Sequence, residues 1–137
     1  MPTLSLVMQK EITTREDIAF LVTSFYSRIR KDVYLAPIFN RHIQDWKAHL
    51  EHLTDFWEAQ LFFSKKFTGN PLLKHQEVDA SEGYTINEQH FGIWLNYWVQ
   101  TIDDLFVGEK AATLKNRARK IGTFLHVGMF NARPKNS

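Results

Sequence analysis

The chain has 137 residues, 44% hydrophobic, 14% aromatic and 23% charged, with a formal net charge of +2. That length suits one domain with a real core, and the interspersed charges give no reason to invoke nucleic acid, although the sequence pI is about 8.9. Cysteine is absent, which removes disulfides, thiolate nucleophiles, iron–sulfur clusters, zinc–cysteine sites and thioether-linked haem, so any metal must be held by His, Asp, Glu or Tyr.

Met1 to Lys10 lack the basic start and apolar block of a signal peptide. No stretch approaches the ~18 apolar residues of a membrane span, so the expectation is a soluble, cytoplasmic protein with no membrane partner. Eleven Phe and four Trp suit an interior built around something large and flat, or simply an aromatic-rich core. The expected architecture is all-α, one domain over 1–137, with 1–13 and 132–137 peripheral or flexible. Strand alternation, internal repeats and domain linkers are not evident.

In chain order, Thr14 and Asp17 make a capping-box start for a first long helix. Ile18, Leu21, Val22, Phe25 and Ile29 then follow at helical spacing, with Tyr26 on the edge of the stripe. Asp32 to Ala36 reads as a short helical turn stopped by Pro37, and Ile38 and Phe39 as an apolar pair in a connection. Asp45 caps a second long helix whose buried face is Trp46, Leu50, Leu53, Trp57 and Leu61, with His49 on that face and His52 on its flank. Gly69 permits a turn, Asn70 caps and Pro71 starts a short helix carrying His75. An acidic irregular loop covers Asp79 to Tyr84. Thr85 and Glu88 suggest a capping box for a third long helix with the stripe Phe91, Trp94, Leu95, Trp98, Ile102 and Phe106. The last runs from about Glu109 to Met129, with Leu114, Ala118, Ile121, Leu125 and Gly128 inward. Its basic run, Arg117 to Lys120, reads as a solvated face.

Enzyme motifs are scarce. There is no glycine-rich phosphate loop, no G-x-S-x-G and no H-E-x-x-H. His49 and His52, three apart, lack a nearby third ligand. The more distinctive arrangement sets His75 on a short helix and His49 on the apolar face of the helix before it. If the two helices flank a flat cofactor, His75 can bind iron on one side while His49 faces the other. Tyr26, His49 and Trp94 all carry hydrogen-bond donors on inward faces. Each also has an ordinary reading as a packed core residue.

At these residues the chain resembles the truncated haemoglobins, and among them the third, bacterial group. Phe25-Tyr26 followed by Arg28 to Asp32 resembles the family's first helix and its distal tyrosine. Leu35 to Phe39 resembles the short helix with its haem-packing phenylalanine. Trp46 to Leu50, continuing to Phe56-Trp57, resembles the distal helix, Gly69 to His75 the proximal segment, and Phe91 with Ile93 to Leu95 the region of the pocket-closing tryptophan. These stretches keep order and spacing from about Thr14 to Val127.

The resemblance implies a two-over-two helix sandwich enclosing haem b. It implies His75 as proximal iron ligand, Tyr26, His49 and Trp94 as the ligand-stabilising distal set, and Phe39 and Leu53 as haem-lining residues. It further implies binding of O2, NO or other diatomics at five-coordinate iron. A donor-rich pocket points to NO or reactive-oxygen chemistry, as an NO dioxygenase or peroxidase-like protein served by an external reductase, rather than to O2 storage. A gas sensor, an oxygen carrier and a non-haem helical interaction module are the alternatives. The expected state is a monomer or weak dimer, and Glu77 and Asp79 are the candidate carboxylates for tuning His75.

Overall fold

In a computed structural model describing residues 9–135, Thr14 accepts a hydrogen bond from the Asp17 amide, and the Asp17 side chain returns to the Thr14 amide. This reciprocal cap starts α1, Arg15–Ile29. The chain continues through α2, Ala36–His42; α3, Trp46–Phe62; α4, Pro71–Ser81; α5, Glu88–Leu105; and α6, Glu109–Ala132. Helix α1 packs on α3, and α5 on α6, while α1 also packs on α5 to join the two pairs. This is the expected all-α, two-over-two sandwich. The β-type pairing among the described residues is an isolated bridge between Lys10 and Phe106. No helix among them is long and apolar enough to cross a membrane.

The apolar stripes explain the core. Ile18, Leu21, Val22, Phe25 and Ile29 of α1 are buried against Trp57 of α3, Trp98 and Ile102 of α5, and Leu114 and Ala118 of α6. Trp57 stacks on Trp98 with ring centroids 4.4 Å apart, and Phe25 meets Trp98 edge-on at 5.0 Å. Such pairs add about 1 kcal/mol each beyond area burial. The Trp98 indole donates to the Leu114 carbonyl at 3.2 Å, so its one polar atom is satisfied.

The structure departs from the sequence reading in several places. Pro37 does not stop a helix; it lies in the first turn of α2, where its missing N–H is not needed. Asp32 instead caps that connection, accepting from the Tyr34 and Leu35 amides. Helix α5 is capped by Asn87 with His90, not by Thr85 with Glu88, because the Thr85 hydroxyl turns back to the Glu82 carbonyl. Asp79 to Ser81 extend α4 rather than forming loop. The expected peripheral ends lie partly outside the described residues. Within them, Ile12 is fully buried in the core, and Arg133 is ion-paired to Asp79.

The largest difference concerns α3. Of its expected apolar face only Trp57 is fully buried, joined there by Thr54 and Glu58. Thr54 returns its hydroxyl to the Leu50 carbonyl, and Glu58 pairs with Arg15 of α1. Trp46, Leu50, Leu53 and Leu61 are left half-buried. So α3 uses one flank to pack on α1, and the rest of its apolar stripe stays half-covered.

Candidate functional site

Helix α4 begins as the sequence requires. The Asn70 side chain accepts from the Leu73 amide at 3.0 Å, and Pro71 occupies the first turn. His75 therefore projects from the second turn. Its Nδ1 lies 2.7 Å from the Pro71 carbonyl oxygen. A carbonyl can only accept, so Nδ1 carries the proton and Nε2 keeps a free lone pair. Burial lowers the His75 pKa, partly opposed by the Pro71 bond. A neutral imidazole with its tautomer fixed by a backbone carbonyl is the form a metal ligand needs. Phe91 of α5 lies roughly parallel to this ring, centroids 6.4 Å apart.

Around Tyr26 a second group assembles. Tyr26 is 6% exposed, on the inner edge of α1. Its ring is met by Phe39 of α2 at 5.7 Å, and by Trp46 and His49 of α3 at the same distance. Burial raises the Tyr26 pKa, and the neighbouring Trp94 indole pulls it the other way. Trp94 stands edge-on to Phe25 at 5.7 Å and runs parallel to Trp98. His49 is half-buried. Burial, then the charges of His52 and His75, lower its pKa to about 4, so it is neutral at pH 7. Its Nε2 is a buried polar atom without a hydrogen-bond partner. Leaving such an atom unpaired costs about 1–3 kcal/mol.

The sequence-chosen residues thus fall into two groups. Tyr26, Phe39, His49 and Trp94 are drawn together through Tyr26 and its neighbours, and His75 sits on α4 beside Phe91. Leu53 is half-buried and packs against the core. His52 turns away to the surface, its ring 4.7 Å from Phe67. The two carboxylates expected to tune His75 do not face it. Asp79 is buried against Arg133, and exposed Glu77 lies 3.8 Å from Lys74. The Pro71 carbonyl takes their place. Sequence reasoning missed that partner, although a carbonyl four residues before a helical histidine is a local signal. It also missed Trp46 as a neighbour of both Tyr26 and His49; the Arg30 guanidinium lies over its ring, 4.3 Å from the centroid.

These features fit haem. An imidazole offers a free Nε2, a neighbouring polar atom lacks a partner, and large apolar side chains on α2, α3 and α5 are half-covered. Among the described residues, no three His, Asp or Glu side chains converge as a cage for a bare metal ion.

Comparison with known proteins agrees. No protein-family model matches the chain. A group 3 truncated haemoglobin of Campylobacter jejuni is 30% identical over 120 residues, spanning 85% of this chain and 91% of that protein. The chain belongs to the group 3 truncated haemoglobins. The crystal structure of a group III truncated haemoglobin from Campylobacter jejuni superposes with a TM-score of 0.81 at 28% identity, covering 93% of this chain and all of that one. The 2/2 haemoglobin of Synechococcus sp. PCC 7002, whose structure carries covalently attached haem, shares the fold with a TM-score of 0.67 at 19% identity, over 85% of this chain and 92% of that one. This truncated haemoglobin is accordingly a haem globin.

Proposed function

We propose that this truncated haemoglobin holds its iron through His75, meets the gaseous ligand with Tyr26, His49 and Trp94, and serves NO or reactive-oxygen chemistry rather than O2 storage. When bound, haem b would supply an iron centre able to bind diatomic ligands. The observation that carries the reading is the unpartnered Nε2 of His49, set beside the Tyr26 ring. A native fold tolerates an orphaned buried polar atom when something outside the chain satisfies it.

His75 contributes orientation. Its Nδ1–H is occupied by Pro71, which leaves Nε2 as the donor and fixes the plane of the ring. The Tyr26 hydroxyl and the Trp94 indole can donate hydrogen bonds, and neutral His49 can donate from Nε2 in one tautomer. Each good neutral donor is worth about 1 kcal/mol, or several-fold in ligand residence time. Phe39 and Leu53 would supply apolar contact. A pocket so furnished retains its ligand, which suits consumption better than delivery.

The partner of His75 also separates two chemistries. Cleaving an O–O bond heterolytically draws on an electron-rich proximal imidazole, which a carboxylate partner promotes. His75 has a neutral carbonyl, so conversion of NO fits better than peroxidase-like turnover. Forming nitrate from NO and O2 takes up one electron, and an external reductase in the cytoplasm would supply it. We take a monomer or weak dimer as the acting species.

The test is nitrate yield. Ferrous, haem-loaded protein in aerated buffer, given NO and a reductase, should form nitrate over many turnovers. Nitrate no higher than in a protein-free control would overturn the proposal.

A further inference from the structure

Helix α4 is gripped along one face. A Cβ at Gly128 of α6 would overlap the Leu72 side chain, so glycine lets the two helices close there. Gln76 donates to the Gly128 carbonyl at 3.1 Å. Asp79, 1% exposed, receives Arg133 Nε at 2.9 Å on one oxygen and Arg133 Nη2 at 3.1 Å on the other. Arg133 Nη2 also donates to the Ile86 carbonyl, and the Ile86 amide donates to Asp79 at 3.2 Å. Leu72, Gln76 and Asp79 recur at steps of four and three, so they form one row along the helix. His75 stands on the adjacent row.

The His75 ring donates its Nδ1–H hydrogen bond to the Pro71 carbonyl, within the same helix. Its orientation therefore follows α4 as a rigid body. What sets the rotation and height of α4 is the row against α6, and the most rigid member of that row is the forked, charge-assisted pair at its end. We infer that the buried Asp79–Arg133 pair is a positioning element for the proximal imidazole, registering α4 so that the His75 Nε2 meets the iron squarely. The inference rests on the reading of His75 as the iron ligand. Arg133 acts through α4 and touches neither haem nor its ligand.

The experiment uses the haem-loaded protein. The iron–imidazole stretching band of the ferrous, ligand-free form is recorded by resonance Raman, alongside haem release to an excess of an apo-globin acceptor. Arg133→Gln removes the charge and the fork; Arg133→Lys keeps the charge and loses the fork. We expect Arg133→Gln to shift or broaden the band and to speed haem release roughly tenfold, the size usual for loss of a ligand-orienting contact. Arg133→Lys should move both in the same direction by less. Gln76→Ala, further along the row, should do likewise, and it carries the test if Arg133→Gln fails to fold. A band and release rate unchanged from wild type would overturn the inference, even with a lower melting temperature, because the pair would then only stabilise. His75→Ala separates the two failures: if the band survives that change, the ligand assignment itself is wrong.

Discussion

His75 and His49 are the same side chain in opposite circumstances. His75 is gripped, with one nitrogen fixed by Pro71 and its helix held to α6 by Leu72, Gln76 and Asp79. His49 is surrounded by the rings of Tyr26 and Trp46, yet its Nε2 has no hydrogen-bond partner. In the proposed function, one histidine holds still and the other meets a ligand that comes and goes. The lesson is that a site can be read from what its polar atoms lack as well as from what they have.

The contrast can be broken most severely at His75. His75→Ala should abolish the ferrous five-coordinate spectrum and greatly weaken haem binding, as judged by haem titration; the same spectrum with unchanged affinity would remove His75 from its role. On the other side, Tyr26→Phe and Trp94→Phe should each change the O2 dissociation rate several-fold, the worth of one hydrogen bond of about 1 kcal/mol. Stopped-flow displacement of O2 by CO measures this, and two unchanged rates would end the case for these donors.

His49 gives a smaller, pH-dependent effect in the haem-free protein. Its folded pKa of about 4 lies below the unfolded value near 6.5. The unfolded chain therefore binds the proton more readily, and stability should fall as pH drops from about 6.5 towards 4. The lowered pKa of His75 acts in the same direction. His49→Leu should flatten part of this acid limb and raise stability at pH 7 by about 1 kcal/mol, since an unpaired buried atom is removed. Urea titrations across that range test it, and an acid limb as steep as wild type would count against the orphaned nitrogen. The smallest effect is expected at Glu77, which is exposed beside Lys74. Glu77→Gln should leave the iron–imidazole band unmoved, whereas a clear shift would mean that a carboxylate does reach His75.

Local chemistry made much of the fold legible. Thr14 with Asp17, Asp45, and Asn70 with Pro71 cap the helices that their side chains suggest. Where two local signals competed, the sequence could not choose. Pro37 serves a helix start as readily as a stop, and Asn87 took the cap that Thr85 also offered. The stripe on α3 was visible, but its division between a packed flank and a half-covered one depends on where α1 lies. The tuning of His75 was misplaced for a related reason. Asp79 is close in sequence, yet it is claimed by Arg133, 54 positions away, and no pattern within α4 announces that partner.

The direct test is reciprocal replacement of the two histidines by glycine, with the ferrous absorption spectrum read before and after adding free imidazole. His75→Gly should lose the five-coordinate spectrum and regain it with imidazole, while His49→Gly should show that spectrum from the start. A His49→Gly protein that needs imidazole, beside a His75→Gly protein that does not, would contradict the account.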